Sequence, residues 1–430
     1  MAMKKLNIGV DLQSEYTEYA IYDSDRRDAI CYSLDGSDVA VRVPNSIFVT
    51  ADDKIYAGLK AAECNVTMPG DYYDNIVEKL DDTSIVIVDG KEYDYTELFC
   101  IMLKLQLEDV IKDADAEINK LIIASPLADQ TMSIALNKLA KMLHIDRDKV
   151  EMVSSQIAML FYVFKQDSGV WKDGVGLFHY ESEHVRYEHV AVDRYLRPMR
   201  INITNTLYPF GGTSDEGGLY MARPPITEGQ EDKQDATFLR IAENALRKYN
   251  QRLSGIFLMG DGFKTDWLNQ SADFLCKGRR VFVGQNIYAK GACYAAESGS
   301  AAMGNNIFLE SDTMVHYDIG VRVRYNGKEQ IAPIVLGEQE WFNAYGTVDV
   351  ILDDTKKIEI DLYDNNKGEL IQEFIEIKGL PNRPPKTTKL SISVRYIDAK
   401  CGEICIKDKG FGSMYPTTGK VYRKEFKLES

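Results

Sequence analysis

Two short turns carry the side chains best equipped for chemistry. Gln13-Ser14-Glu15 follows Asp11, and Glu181-Ser182-Glu183 follows His179. Carboxylates gathered at turns can hold a divalent cation or activate a water, and each repels a phosphate at 4 Å by about 1 to 4 kcal/mol, depending on the effective dielectric. The plain alternative is that Glu181 and Glu183 are solvated turn residues. A third turn, Gly260-Asp261-Gly262, has the flexible backbone that either closes a turn or lets a ligand approach. His179, His184 and His189 recur every five residues, a period that suits no single face of a strand or helix, so a three-histidine metal set is not expected. The cysteines, at 31, 64, 100, 276, 293, 401 and 405, are odd in number and scattered, which argues against a disulfide framework. Cys401 and Cys405 have no second pair to complete a zinc site.

These turns belong to a repeated design. Residues 5–22 alternate as two strands around a polar turn, and residues 175–192 do the same. At a distance after each hairpin comes an amphipathic helix (96–112, then 236–253) leading into a short apolar strand, LIIASP at 121–126 and GIFLMGDG at 255–262. Two similar α/β lobes follow, 1–165 and 166–304, with the hairpin turns and strand ends converging on a cleft.

From about residue 305 the texture changes to short strands separated by Gly, Pro, Asn and Asp turns, so an all-β domain is expected at 314–430 after a linker at 305–313. Apolar Ile307, Phe308 and Leu309 suit a linker that docks. The net charge of −15 opposes nucleic-acid and anionic-membrane binding. No apolar run reaches the roughly 18 residues of a membrane span, and the amino terminus enters a strand without a signal-peptide core. A soluble protein of the reducing cytoplasm is therefore expected.

The order of pieces resembles a DnaK-type chaperone of the seventy-kilodalton heat-shock family, within the actin-like ATPase superfamily. Ile8-Gly9-Val10-Asp11-Leu12 looks like the family's first phosphate loop; residues 43–63 and 88–110 are similar to the stretches that follow; VSSQIAMLFY at 153–162 looks like the connecting helix. Gly260-Asp261-Gly262 resembles the adenosine loop and NIYAKGACYAA at 286–296 the helix closing the nucleotide domain. The most extended likeness is FIEIKGLPNRPPKTTKLSISVRYIDAKCGEICIKDK at 374–409, followed by Thr418-Gly419-Lys420, which looks like the end of the family's peptide-binding β-sandwich. The resemblance implies a duplicated, ribonuclease-H-like two-lobe domain with a reduced second-lobe helical subdomain, then a β-sandwich. The family's helical lid has no counterpart before Ser430.

The same resemblance exposes departures. Gln13-Ser14-Glu15 replaces the family's Gly-Thr-Thr, and His179-Tyr180-Glu181-Ser182-Glu183 replaces a glycine-rich turn. If nucleotide binding with Mg²⁺ were retained, the resemblance would assign it to Asp11, Gln13, Lys79, Gly211, Gly212, Gly260, Asp261 and Gly262. No catalytic residue, metal ligand or cofactor is assigned beyond that possibility of ATP or ADP. The peptide-binding counterpart is the aromatic-rich stretch 332–354, with Ile334, Leu336, Trp341, Phe342 and Tyr345 as the binding surface and alternating Val348, Val350 and Leu352 as core. The expectation is a non-catalytic module that holds an unfolded or specific client protein or peptide. A weak chaperone ATPase and an actin-like assembling scaffold are the alternatives. Nothing in the sequence sets an oligomeric state.

Overall fold

The computed structural model describes residues 4–428 apart from 35–39, 113–115, 182–183, 210–223, 225, 227–228, 250–251, 300–306 and 354–356. The chain forms two compact units, Met1–Ser311 and Asp312–Ser430.

In the first unit the apolar alternation of the amino-terminal residues becomes a meander: β1 (Lys4–Leu12), β2 (Tyr16–Asp23) and β3 (Asp28–Cys31). Helix α1 (Tyr95–Ile111) starts where the Asp94 carboxylate accepts from the Glu97 N–H and buries Leu98, Phe99, Leu103 and Leu107. It leads to β4 (Ala116–Ser125), α2 (Gln130–Met142, capped by Asp129), β5 (Val150–Ser154) and α3 (Ser155–Lys165, capped by Ser154). The sheet order is β5-β4-β1-β2-β3, with β4 and β5 parallel to β1 and the meander antiparallel. A right-handed crossover through a helix is the usual way to make strands parallel, which is why the helices alternate with β4 and β5.

The design repeats. The strands β6 (Val175–Tyr180), β7 (His184–Asp193) and β8 (Met199–Pro209) are followed by α4 (Glu231–Tyr249), β9 (Gly255–Met259), α5 (Gln270–Leu275), β10 (Arg280–Val283) and α6 (Ile287–Ser298). The order β10-β9-β6-β7-β8 has the same strand directions as the first sheet. It carries one addition: β11 (Ile307–Glu310) pairs in parallel with Met199–Asn202 at the edge. Residues 307–310 are thus a strand of the first unit, and Leu309 is buried there.

The two halves interlock through their last helices. Helix α6 follows the second sheet yet packs on β1, β2, β3 and β4 of the first. Two glycines allow this. A Cβ on Gly9 would lie 2.1 Å from the Cys293 backbone nitrogen, and one on Gly291 would lie 1.9 Å from the Ala158 carbonyl oxygen in α3. Among the described residues no helix is long and apolar enough to cross a membrane.

The second unit is built on two antiparallel four-stranded sheets. One has β12 (Tyr317–Tyr325), β13 (Lys328–Val335), β15 (Lys357–Asp364) and β16 (Glu369–Glu376) in the order β13-β12-β15-β16; the other runs β14 (Tyr345–Leu352), β17 (Thr388–Tyr396), β18 (Cys401–Gly410), β19 (Val421–Lys427). Inward residues of both, including Ile319, Ile360, Leu390, Ile392 and Ile404, form one core. Val348, Val350 and Leu352 pack against it, as their alternation predicts.

Candidate functional site

The turn ends of the two hairpins carry equivalent pairs. Asp11 stands opposite Glu18 in β1 and β2, and His179 stands opposite Arg186 in β6 and β7, each pair one position from the end of its ladder. Like charges directly opposite in a sheet destabilise it. Asp11 is fully buried, and that burial, together with the Glu18 charge, pushes its carboxyl up to about 8 against a hydrogen bond from Gln13 Nε2 at 2.6 Å. The Arg186 and Arg42 charges act in the opposite sense on Asp11.

Arg186 gathers the second hairpin. Its Nη2 lies 3.0 Å from His179 Nδ1, 3.2 Å from Glu181 Oε1 and 3.3 Å from the Tyr288 hydroxyl of α6. His184 Nε2 is 3.0 Å from the other Glu181 oxygen. Burial disfavours the Glu181 carboxylate, but the His179 hydrogen bond and the surrounding cations outweigh it and hold the carboxyl at about 2. Burial lowers His179, keeping the imidazole neutral at physiological pH; its Nδ1 can accept from Arg186 or donate to Glu181 Oε1, also 3.0 Å away.

Arg42 ties one half to the other. It makes a bidentate pair with Asp261 at 2.7 and 2.8 Å, approaches Glu18 at 3.3 Å and stacks over the Tyr16 ring. Burial opposes ionisation of Asp261, but Arg42 and Lys264 hold it at about 2. Asn286 closes the same seam from the start of α6: its Nδ2 donates to Glu18 at 2.6 Å and its Oδ1 accepts from the Ala40 N–H. These turn ends are thus joined by a set of cations and carboxylates that mainly satisfy one another.

The site residues expected from the sequence fare unequally. Asp11, Gln13 and Asp261 do stand in this cluster. Lys79 is engaged elsewhere, 2.9 Å from the Asp74 carbonyl and 3.3 Å from its carboxylate. Gly260 and Gly262 are filled from within: their Cβ atoms would lie 2.4 Å from the Tyr180 carbonyl oxygen and 2.0 Å from the Tyr180 ring. On this side the glycines make room for a tyrosine. Glu181 is likewise no solvated turn residue, because two histidines and an arginine bind it. Gly211, Gly212 and Glu183 lie outside the described residues. Among the described residues no group of three or more His, Cys, Asp or Glu is placed to hold a metal ion.

The close approach of Gly262 to the Tyr180 ring has a measurable consequence. Tyr180 is fixed by Phe263, Trp267 and a hydrogen bond from Gln234, so it cannot swing aside. Gly262→Ala should cost about 2 kcal/mol in urea unfolding, and the cost should shrink in a Tyr180→Ala background. Equal costs in both backgrounds would mean that the ring is not the obstacle.

A family model described as family of unknown function (DUF5716), C-terminal, matches residues 29–311, well over half of the chain. The chain belongs to the DUF5716 family. A domain of unknown function (DUF8552) matches 314–428, so the two matches follow the two compact units of this DUF5716 chain. No curated protein matches it.

In the second unit the expected peptide surface divides. Phe342 is 1% exposed, so its role as a binding aromatic is corrected: the short turn Trp341–Asn343 points it inward. Trp341 and Ile334 are half-buried against the core. Leu336 and Tyr345 remain exposed. Gly346 brings β13 and β14 together here, since its Cβ would fall 1.9 Å from the Ile334 carbonyl oxygen.

Sequence reasoning missed Glu18, Arg42, Arg186, Asn286 and Tyr288. One signal was present: Asp11 and Glu18 are seven residues apart, and so are His179 and Arg186, across equivalent turns.

Proposed function

We propose that this DUF5716 chain is a DnaK-like relative with actin-type lobes whose nucleotide cleft has become an ion-paired seam, and that it works as a protein-interaction module holding or scaffolding a client polypeptide. The observation that carries the reading is the Arg42–Asp261 and Arg186–Glu181 network. In the resembled family, this is where glycine-rich turns would bracket phosphates. Twice-repeated strand order and directions, followed by an all-β unit, support the architecture. Leu336 and Tyr345 are the exposed apolar positions that remain for client contact, which suits weak docking to an unfolded segment.

The test is calorimetric titration with ATP and with ADP, each with and without Mg²⁺, beside a client-aggregation assay. No heat up to millimolar nucleotide is expected, and aggregation should be suppressed without ATP. Leu336→Ser with Tyr345→Ser should weaken that suppression. A second reading, a weak ATPase, draws on the two cleft arginines, which could turn to phosphate if their carboxylates let go. It predicts nucleotide-dependent stabilisation, about 2.7 kcal/mol at a hundred times the dissociation constant. Micromolar binding would reject the seam reading.

A further inference from the structure

At the end of the second sheet remote from the cleft, β7 and β8 are joined by a tip of unusual composition for this chain. Residues 194–200, Arg-Tyr-Leu-Arg-Pro-Met-Arg, hold three arginines and no acid in a chain of net charge −15. Tyr195 is 86% exposed and Leu196 is 45% exposed. What sets the tip apart is the combination: an exposed tyrosine and leucine stand among three arginines.

The tip is preorganised. Arg197 Nη1 donates to the carbonyls of Arg194 and Leu196 at 2.7 and 2.8 Å, and the Tyr195 N–H donates to the Asp193 carboxylate at 3.1 Å. The Arg194 guanidinium sits 5.7 Å from the Tyr195 ring centre, and Arg200 lies over Phe308 of the adjoining edge strand at 5.1 Å. Ten paired positions of the β7–β8 ladder carry the tip, so binding would not have to order it first.

We propose that this hairpin tip is a docking site for an acidic, partly apolar segment of a partner protein. Arginine and tyrosine are the side chains most enriched where protein interfaces concentrate their energy, and the local cations complement an acidic segment. An anionic bilayer is disfavoured: two exposed side chains bury fewer methylenes than a single myristoyl chain, itself a marginal anchor. The proposal goes beyond the client-holding reading and is independent of whether the cleft takes nucleotide.

The test is fluorescence anisotropy on the full chain with a short fluorescein-labelled peptide of glutamates interrupted by leucine and phenylalanine. Binding should weaken about tenfold in Arg194→Glu and in Tyr195→Ala, and it should weaken as salt rises. Lys141→Glu, an equal charge reversal on α2, should leave it unchanged. Both tip residues are solvent-facing, so melting curves of the variants should overlay the parent. No binding up to millimolar chain, or binding indifferent to both tip variants, overturns the proposal. So does binding to phosphatidylserine vesicles that depends on the tip while the peptide is ignored.

Discussion

Gly291→Ala should lower the melting temperature of the first unit by roughly 5 °C, or leave it unable to fold. The expected loss is about 3 kcal/mol, and each kcal/mol shifts melting by about 1.5 °C in a unit of this size. Alanine is ordinarily the better helix former by about 1 kcal/mol, so the sign itself is diagnostic. The reason is geometric: the new Cβ would sit 1.9 Å from the Ala158 carbonyl oxygen and 3.3 Å from its Cα. Backbone cannot rotate away as a side chain can, so α3 and α6 would have to separate. Ala158, Met159, Ala292 and Ala295 are all buried along these helices, and separation would open voids around them. A melting point within 2 °C of the parent would show that the crossing is looser than these distances require.

Asp11→Asn should stabilise the protein at alkaline pH, by on the order of 5 kcal/mol at pH 9. Unfolded, the Asp11 carboxyl ionises near 3.8; folded, burial first and the Glu18 charge second keep its proton on to about 8. Between those values the folded chain holds the extra proton, so this group makes stability fall as pH rises and level off above about 8. Asparagine cannot titrate, and its oxygen can still accept from Gln13. The variant should therefore lose that slope. Glu181 and Asp261, both held at about 2, work in the other direction: their contribution is present above the ordinary carboxylate range and is lost only as pH falls toward 2. They leave the window from 5 to 9 undisturbed. Urea melts of parent and variant at pH 5, 7 and 9 decide the matter, and parallel profiles would refute it.

How far the sequence foretold this can be judged residue by residue. The two hairpins were legible because alternation is a local property, and Leu6, Ile8 and Val10 announce a buried face directly. The role of the turn residues was not. Glu181 reads as a solvated residue until His184 and Arg186, three and five positions on, return along β7 to meet it. Arg42 gave no signal at all, since its partner Asp261 is 219 residues away. The consecutive aromatics Trp341 and Phe342 looked alike in sequence, but a single short turn sends one inward and leaves the other half-covered. Residues 307–310 read as a linker because a four-residue edge strand is too short for periodicity to register.

The placement of α6 on the first sheet has a consequence for synthesis. Asn7 in β1 and Cys293 in α6 are 286 residues apart, yet the thiol reaches the Asn7 carbonyl at 3.6 Å. At about 5 to 20 residues per second, the ribosome would take on the order of 15 to 60 s to bring out the helix that covers the strand. For that interval the apolar face meant for α6 has nothing of its own to rest against. The nascent chain would therefore depend on being shielded itself, and slower translation between residues 8 and 293 should increase its aggregation.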